Sequence, residues 1–135
     1  MITKITQRNL LFAFIIASSF LFTNEVKAQK NQVLTFAEQM PEFPGGTEAM
    51  YTFLSKNVAY PEKLRAMGIE GKVVLTFVVT KKGKIKKIEV HGKPEPLFAK
   101  EAVRVIKKMP KWTPGQQNKK PVNVKFTLPI RFQLN

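Results

Sequence analysis

Histidine and carboxylate side chains are the groups with which this chain could perform acid–base or metal chemistry. His91 is its only histidine, Glu89 stands two residues before it, and the chain has no cysteine. A metal site needs more ligands than this pair supplies. The remaining glutamates are scattered, and several lie within two residues of a lysine, which is typical of solvated ion pairs. We predict a protein without catalytic residues, metal or cofactor; an enzyme would depend on residues such as His91 or Glu101.

Two features of the sequence could hold an anion. Gly45 and Gly46 precede a predicted helix, but the lysine and hydroxyl of a phosphate-binding loop are absent, so we interpret this pair as a plain turn. The second feature is a basic patch of five lysines within seven residues: Lys81, Lys82, Lys84, Lys86 and Lys87. Two interpretations of the patch remain open. The lysines either keep a sheet edge solvated and free of aggregation, or attach the protein to an acidic partner or to lipid phosphates.

The N-terminus resembles an export signal. Lys4 and Arg8 precede an apolar run over residues 10–22, and Val26-Lys27-Ala28 follows as a small-residue cleavage pattern. We predict a signal peptide over residues 1–28 and a periplasmic protein. The alternative is an uncleaved inner-membrane anchor facing the periplasm, although this run of 13 residues spans only ~20 Å as a helix against a ~30 Å hydrocarbon core.

The net charge is strongly positive, +14 for the whole chain and +12 for the 20 basic and 8 acidic residues that follow Ala28. Such a surface favours anionic partners, and export makes nucleic acid a poor candidate. The absence of cysteine excludes a disulfide framework, so the fold must depend on packing alone.

The last stretch, residues 121–134, has the clearest pattern. Its even positions from Val122 to Leu134 are all apolar, whereas its odd positions are polar or proline. This period of 2 predicts a long β-strand with one buried face. Pro129 cannot donate a ladder hydrogen bond, which favours an edge strand, and a long edge strand is a template for another chain.

The elements before it follow from the same kinds of signal. We predict a short extended lead-in at residues 29–40 and a domain over residues 41–135. In that domain we expect a turn at 41–46, a helix at 47–56, a helical turn from Tyr60-Pro61 to Gly68, a central strand at 72–80, a hairpin turn at 81–83, a strand at 84–91 with a bulge near Lys86-Lys87, a helix at 94–109, an ordered connector at 111–115 and a polar stretch at 116–120. Trp112 is predicted to seal the core, and Tyr60 is either a core staple or a contact residue.

These elements predict an α+β domain. We expect a two-layer sandwich with a three-stranded antiparallel sheet, in the spatial order second, first, third strand, and helices packed on one face.

Several motifs together resemble the TonB C-terminal domain family, and the similarity covers residues 41–132. They are Phe43-Pro44-Gly45-Gly46, Tyr60-Pro61, Gly68-Ile69-Glu70-Gly71 before a valine-rich strand, the Gly83 hairpin, Glu101-Ala102-Val103-Arg104-Val105, Trp112-Thr113-Pro114-Gly115, and the strand that begins at Pro121. The resemblance implies a periplasmic module in TonB-dependent, energy-transducing transport. Its last strand would pair with the TonB box, a short extended segment of an outer-membrane receptor. The partner-binding residues implied are Tyr60, Pro61, Asn123, Lys125, Thr127, Pro129, Arg131 and Gln133.

The chain departs from the family's energy transducers in its N-terminal part. Those proteins retain an anchor, couple to an ExbB and ExbD motor and carry a long proline-rich spacer, whereas about 12 residues separate Ala28 from Pro41 here. Extended at ~3.5 Å per residue, these span about 40 Å. We therefore expect a module that binds receptor segments as a competitor or adaptor, with the ExbB/ExbD motor as a partner if the N-terminus is retained as an anchor.

Two other arrangements follow from the sequence. The last strand could pair with a second copy of the chain to form a homodimer. A different class of function is a lysine-rich structural protein that is attached to anionic lipopolysaccharide or peptidoglycan, and this attachment would collapse at high salt.

Overall fold

Three helices and five strands form in residues 31–135, the part of the chain that the computed structural model describes. The predicted signal peptide lies outside the described residues. The helices are α1 (Thr47–Asn57), α2 (Glu62–Ala66) and α3 (Pro96–Lys107), and the strands are β1 (Val33–Leu34), β2 (Gly71–Val79), β3 (Ile85–His91), β4 (Gly115–Gln117) and β5 (Lys120–Phe132). The α+β class is confirmed.

The sheet is built around β2, which pairs antiparallel with β3 on one side and with β5 on the other. Val73, Leu75, Phe77 and Val79 are fully buried on one face of β2, and Val78 is buried on the other, so β2 is central as predicted. The predicted order, second strand, first strand, last strand, is correct for these three. The predicted number is wrong, because β1 and β4 also pair with β5 and make a mixed five-stranded sheet.

The β2–β3 hairpin has the predicted turn and the predicted bulge. Gly83 adopts φ 78°, and a Cβ atom there would lie 2.0 Å from the Trp112 carbonyl oxygen, so only glycine fits. The ladder shifts register between Thr76 and Val78, opposite Lys87, which adopts φ 52°. This bulge returns the side chain of Ile85 to the core side of the sheet.

The helices cover one face of the sheet. The apolar stripe of α3 is buried against it through Phe98, Ala102, Val105 and Ile106, and α1 contributes Met50 and Leu54. The predicted bounds of α3 were two residues too wide at each end. Glu95 precedes the helix and accepts a hydrogen bond from the backbone N–H of Leu97.

The connector after α3 is anchored by Trp112, which is buried and packs edge-on against Phe43, Phe77 and Phe126, as predicted for a core-sealing residue. The predicted polar stretch at residues 116–120 contains the end of β4, a turn and the start of β5. Asn118 and Lys119 both have positive φ and form a two-residue turn between β4 and β5.

The prediction that β5 is an edge strand along its whole length is wrong. β4 pairs with residues 120–122 and β1 pairs in parallel with Asn123 and Val124. β1 lies on the side of β5 that faces away from β2, because Val124 pairs with both Leu34 of β1 and Val79 of β2. Within residues 31–135 no strand pairs with residues 125–132 on that side, so only this stretch of β5, called here the open segment, is an edge.

Candidate functional site

The open segment presents an alternating surface next to an unpaired main chain. Leu128, Ile130 and Phe132 are buried under the helices, whereas Lys125, Thr127, Pro129 and Arg131 are exposed on the opposite face. A strand edge of this kind offers N–H and C=O groups in a fixed register to an extended peptide. Pro129 lacks an N–H, so its position contributes only an acceptor.

A groove lies directly beside the end of the open segment. Its volume is 530 Å³. The wall opposite β5 is formed by Tyr51, Leu54 and Ser55 of α1, by Val58 and Tyr60 of the α1–α2 connector and by Arg65 of α2, and the β5 side is formed by residues 129–133. We call this feature the edge groove. It is on the helix-covered side of the sheet, where side chains of an added strand would point.

Tyr60 is both a core residue and a wall of the edge groove. Its ring packs edge-on against Phe98 and Phe132, with centroids 5.5 and 5.9 Å away, and its hydroxyl donates to the Ile69 carbonyl. The Arg65 guanidinium lies 5.1 Å from the ring centroid. Burial raises the pKa of the Tyr60 phenol, the Glu70 carboxylate adds to the rise, and Arg65 opposes it. The phenol therefore stays protonated and keeps its hydrogen bond at neutral pH.

The α1–α2 connector is held by an ion pair on α3. Glu101 accepts a hydrogen bond from Arg104 Nε at 2.7 Å and one from the Ala59 backbone N–H at 2.8 Å, while Arg104 Nη2 donates to the Asn57 carbonyl at 2.8 Å. The hydrogen bond from Arg104 lowers the pKa of Glu101, with a smaller lowering by the Ala59 N–H, although partial burial opposes both. The pair thus positions the connector that carries Val58 and Tyr60.

The structure brings together part of the predicted binding set. Tyr60, Pro129, Arg131 and Gln133 line the edge groove, and Lys125 and Thr127 lie on the exposed face of the open segment. Two predicted residues lie elsewhere. Asn123 is next to β1, and its Oδ1 accepts from the Lys81 backbone N–H at 2.9 Å; Pro61 caps α2 without lining the groove.

Sequence reasoning missed five residues of the groove wall opposite β5, which are Tyr51, Leu54, Ser55, Val58 and Arg65. Tyr51 had a usable signal, since it is an aromatic side chain one position after buried Met50 in an amphipathic helix. It is 59% exposed, which marks an apolar surface available for contact. Glu101 and Arg104 were recognised only as part of a family motif, and their ion pair had no signal in the sequence beyond the i, i+3 spacing.

The basic patch lies at the other edge of the sheet, on the β2–β3 hairpin and β3. In the described part of the chain the one salt bridge joins Glu101 to Arg104, and none involves Lys82, Lys84, Lys86 or Lys87. His91 Nε2 lies 2.7 Å from the Thr76 hydroxyl. Residues 31–135 contain no group of three or more potential metal ligands.

Residues 56–134 match the profile of the family "Gram-negative bacterial TonB protein C-terminal". No curated protein gives a significant match. The chain is similar to the solution structure of the Pseudomonas aeruginosa TonB C-terminal domain, with 29% identity, a TM-score of 0.47 and coverage of 57% of this chain and 78% of that one.

A second solved structure supports the fold. The Helicobacter pylori TonB C-terminal domain is 22% identical, with a TM-score of 0.50 and coverage of 68% of this chain and 87% of that one. Among residues 31–135, no helix has the length and apolar character required to cross a membrane.

Proposed function

The chain belongs to the TonB C-terminal domain family, and on that premise we propose that its open segment binds an extended segment of an outer-membrane receptor by adding it to the sheet as a further strand. Members of the family are periplasmic, non-enzymatic domains that act in TonB-dependent transport and interact with outer-membrane receptors. The observation that carries the proposal is the unpaired stretch of β5 next to the edge groove.

Strand addition fits the dimensions of this edge. Residues 125–132 extend over about 26 Å at ~3.3 Å per residue, which is enough for a peptide of eight residues. Main-chain hydrogen bonds would supply most of the affinity, and they do not depend on the sequence of the peptide. At residues 123 and 124 this side of β5 is already paired with β1, which limits where the peptide can dock.

Selectivity would come from the edge groove. An added strand lies ~4.8 Å beyond β5 and points alternate side chains toward the helix layer. Those side chains would meet the rings of Tyr51 and Tyr60 and the side chain of Val58, and the cation Arg65 lines the same groove. We expect the preferred segment to have apolar residues at alternate positions and an acidic residue near Arg65.

A titration of the full chain with a TonB-box peptide tests this proposal. Amide NMR shifts should concentrate in residues 125–133 and around Tyr51, and the affinity should depend only weakly on salt. Tyr51→Ala should weaken binding about 5- to 30-fold, because the truncated ring is a groove wall. Met67→Ala is the control, since Met67 is 62% exposed and lies outside the groove. Binding that leaves residues 125–133 unshifted would exclude strand pairing.

A further inference from the structure

A second concave surface lies between the β2–β3 hairpin and the C-terminal end of α3, separate from the edge groove. Its volume is 300 Å³. Its apolar floor includes the half-buried side chains of Ile85, Ile88 and Met109, and the residues around it include Lys84, Lys107 and Lys111. We call it the basic groove. None of its residues lines the edge groove.

The charge around the basic groove has one sign. Two chain segments meet there, residues 80–88 and 105–113, which are joined where the Trp112 backbone N–H donates to the Gly83 carbonyl at 2.9 Å. The first segment contains five lysines and the second three, and neither contains an acidic residue. In residues 31–135, Lys84, Lys107 and Lys111 take part in no salt bridge. The local field therefore favours an anionic partner.

The structural needs of the fold do not account for all of these lysines. Lys107 and Lys108 suit the C-terminal dipole of α3, and Lys86 and Lys87 protect the β3 edge together with the bulge. Lys84 and Lys111 fall outside both groups. They lie instead with Lys107 around an apolar depression. There the charges of Lys84 and Lys111 neither complement a helix dipole nor protect a strand edge.

The shape of the surface separates two kinds of anionic partner. Six large apolar side chains in the described residues are exposed, and none of them lines the basic groove, so nothing here protrudes to enter a lipid layer. Its apolar atoms form the floor of a depression, which a flat headgroup surface cannot fill. A peptide side chain can fill such a depression while neighbouring carboxylates meet the lysines.

We propose that the basic groove binds an acidic peptide segment of a partner protein, in which an aliphatic or aromatic side chain stands between carboxylates. The apolar side chain enters between Ile85, Ile88 and Met109, and the carboxylates pair with Lys84, Lys107 and Lys111. Because β3 carries a bulge at this edge, the segment is held by its side chains, unlike a strand added to β5. This site is independent of the proposed receptor-binding edge.

The adjoining surface provides room for a longer segment. A neighbouring depression of 460 Å³ shares Lys107 with the basic groove and is lined by Val90, Val103 and Lys100 among others. It repeats the combination of an apolar floor and cationic surroundings along the boundary between α3 and β3. A segment with a second apolar residue would reach it.

Fluorescence anisotropy with two labelled peptides tests the proposal on the full chain. The first probe is a ten-residue peptide of alternating glutamate and leucine, and the second has serine in place of every leucine. The first should bind, and the second should bind at least tenfold more weakly. In a parallel NMR titration, the first should shift the amide signals of Ile85, Ile88 and Met109. Equal binding of the two probes would overturn the proposal, because the apolar floor would then have no role.

Charge variants distinguish the site from the general charge of the protein. The triple variant K84Q/K107Q/K111Q should bind the first probe about tenfold more weakly, since three exposed ion pairs are removed. The matched control K63Q/K119Q/K120Q loses the same charge elsewhere and should stay within about twofold of the unchanged protein.

Three results would contradict this site. Equal weakening by both triple variants would mean nonspecific attraction, and shifts confined to residues 125–133 would place the probe on the open segment. Binding to phosphatidylglycerol vesicles without binding of the first probe would assign the lysines to a membrane surface. Unchanged thermal unfolding of both variants serves as the check on folding.

Discussion

β1 covers the two residues of β5 that stand just before the open segment, and we predict that it limits the length of peptide that can bind. Val33 and Leu34 pair in parallel with Asn123 and Val124. A peptide confined to residues 125–132 does not meet β1, whereas a longer peptide must displace it. Val33→Pro removes a backbone donor from this short strand, and Val33 is 37% exposed, so little burial is lost.

The magnitude follows from the size of the contact. Two paired residues correspond to about two main-chain hydrogen bonds, each contributing a net 0.5–1.5 kcal/mol, so displacing β1 costs about 1–3 kcal/mol. Val33→Pro removes one of these bonds, and since each 1.4 kcal/mol is a factor of ten, a peptide that reaches Asn123 should bind this variant roughly 2- to 12-fold more tightly than the unchanged chain. A peptide limited to residues 125–132 should bind both proteins equally.

Calorimetric titration with two peptides measures this difference. The short peptide has eight residues, and the long one carries two further residues at each end, so that it reaches Asn123 in either strand direction. Asn31→Pro places the same residue two positions before β1 and should change neither affinity. If Val33→Pro alters both peptides alike, or neither, then β1 does not compete with the peptide and the reasoning is wrong.

Two further predictions concern the scaffold. Glu101→Gln should lower the free energy of unfolding at pH 7 by roughly 1 kcal/mol, a value reduced for the solvent exposure of Arg104. Because the folded pKa of Glu101 is lowered, this contribution is complete above the unfolded pKa and is lost as the pH falls through the folded one, so the difference in melting temperature should shrink in acid. Glu38→Gln is the control, and a difference that persists in acid would contradict the assignment. Gly83→Ala should lower the free energy of unfolding in urea by more than about 3 kcal/mol, whereas Gly92→Ala should lower it by about 1 kcal/mol. Both glycines have positive φ, but only at Gly83 would a Cβ atom lie 2.0 Å from a carbonyl oxygen. Equal losses would refute the steric argument.

The long elements were predictable because their side chains alternate or recur over many residues. Burial in β5 follows its even positions, and the bulge in β3 was required to bring Ile85 into phase with Ile88. The two short strands carry no such signal. β1 has two residues, and β4 is one glycine and two glutamines without an apolar side chain, so its pairing depends on the turn at Asn118 and Lys119. Lysine rarely adopts positive φ, so Lys119 gave no indication of the two-residue turn between β4 and β5.

The candidate site was predicted only where it lies on β5 and at Tyr60. The opposite wall of the edge groove comes from α1, the connector and α2, and their alignment depends on tertiary contacts such as the hydrogen bond from the Ala59 N–H to Glu101. An exposed Tyr51 looks the same in the sequence whether it faces solvent or a groove. Residues brought together from separate elements therefore remained outside the prediction.

The open segment is better suited to a foreign strand than to a second copy of itself. Side chains that face each other across an antiparallel pair must lie on the same face of the sheet, so the sum of the paired residue numbers must be even. Two of the symmetric registers that satisfy this rule pair the largest number of residues within 125–132 of the two copies. One places Lys125 opposite Arg131 twice, which is repulsive, and the other places Pro129 opposite Pro129, where neither has an N–H.

A foreign strand avoids both problems if it has a carboxylate opposite these cations and an N–H opposite Pro129. Sedimentation equilibrium of the full chain tests this preference, because a dimer stable at micromolar concentration would contradict it. The same two cations that disfavour self-pairing would then attract an acidic partner, so the charge on the outer face of β5 both protects the open segment and selects the strand that it accepts.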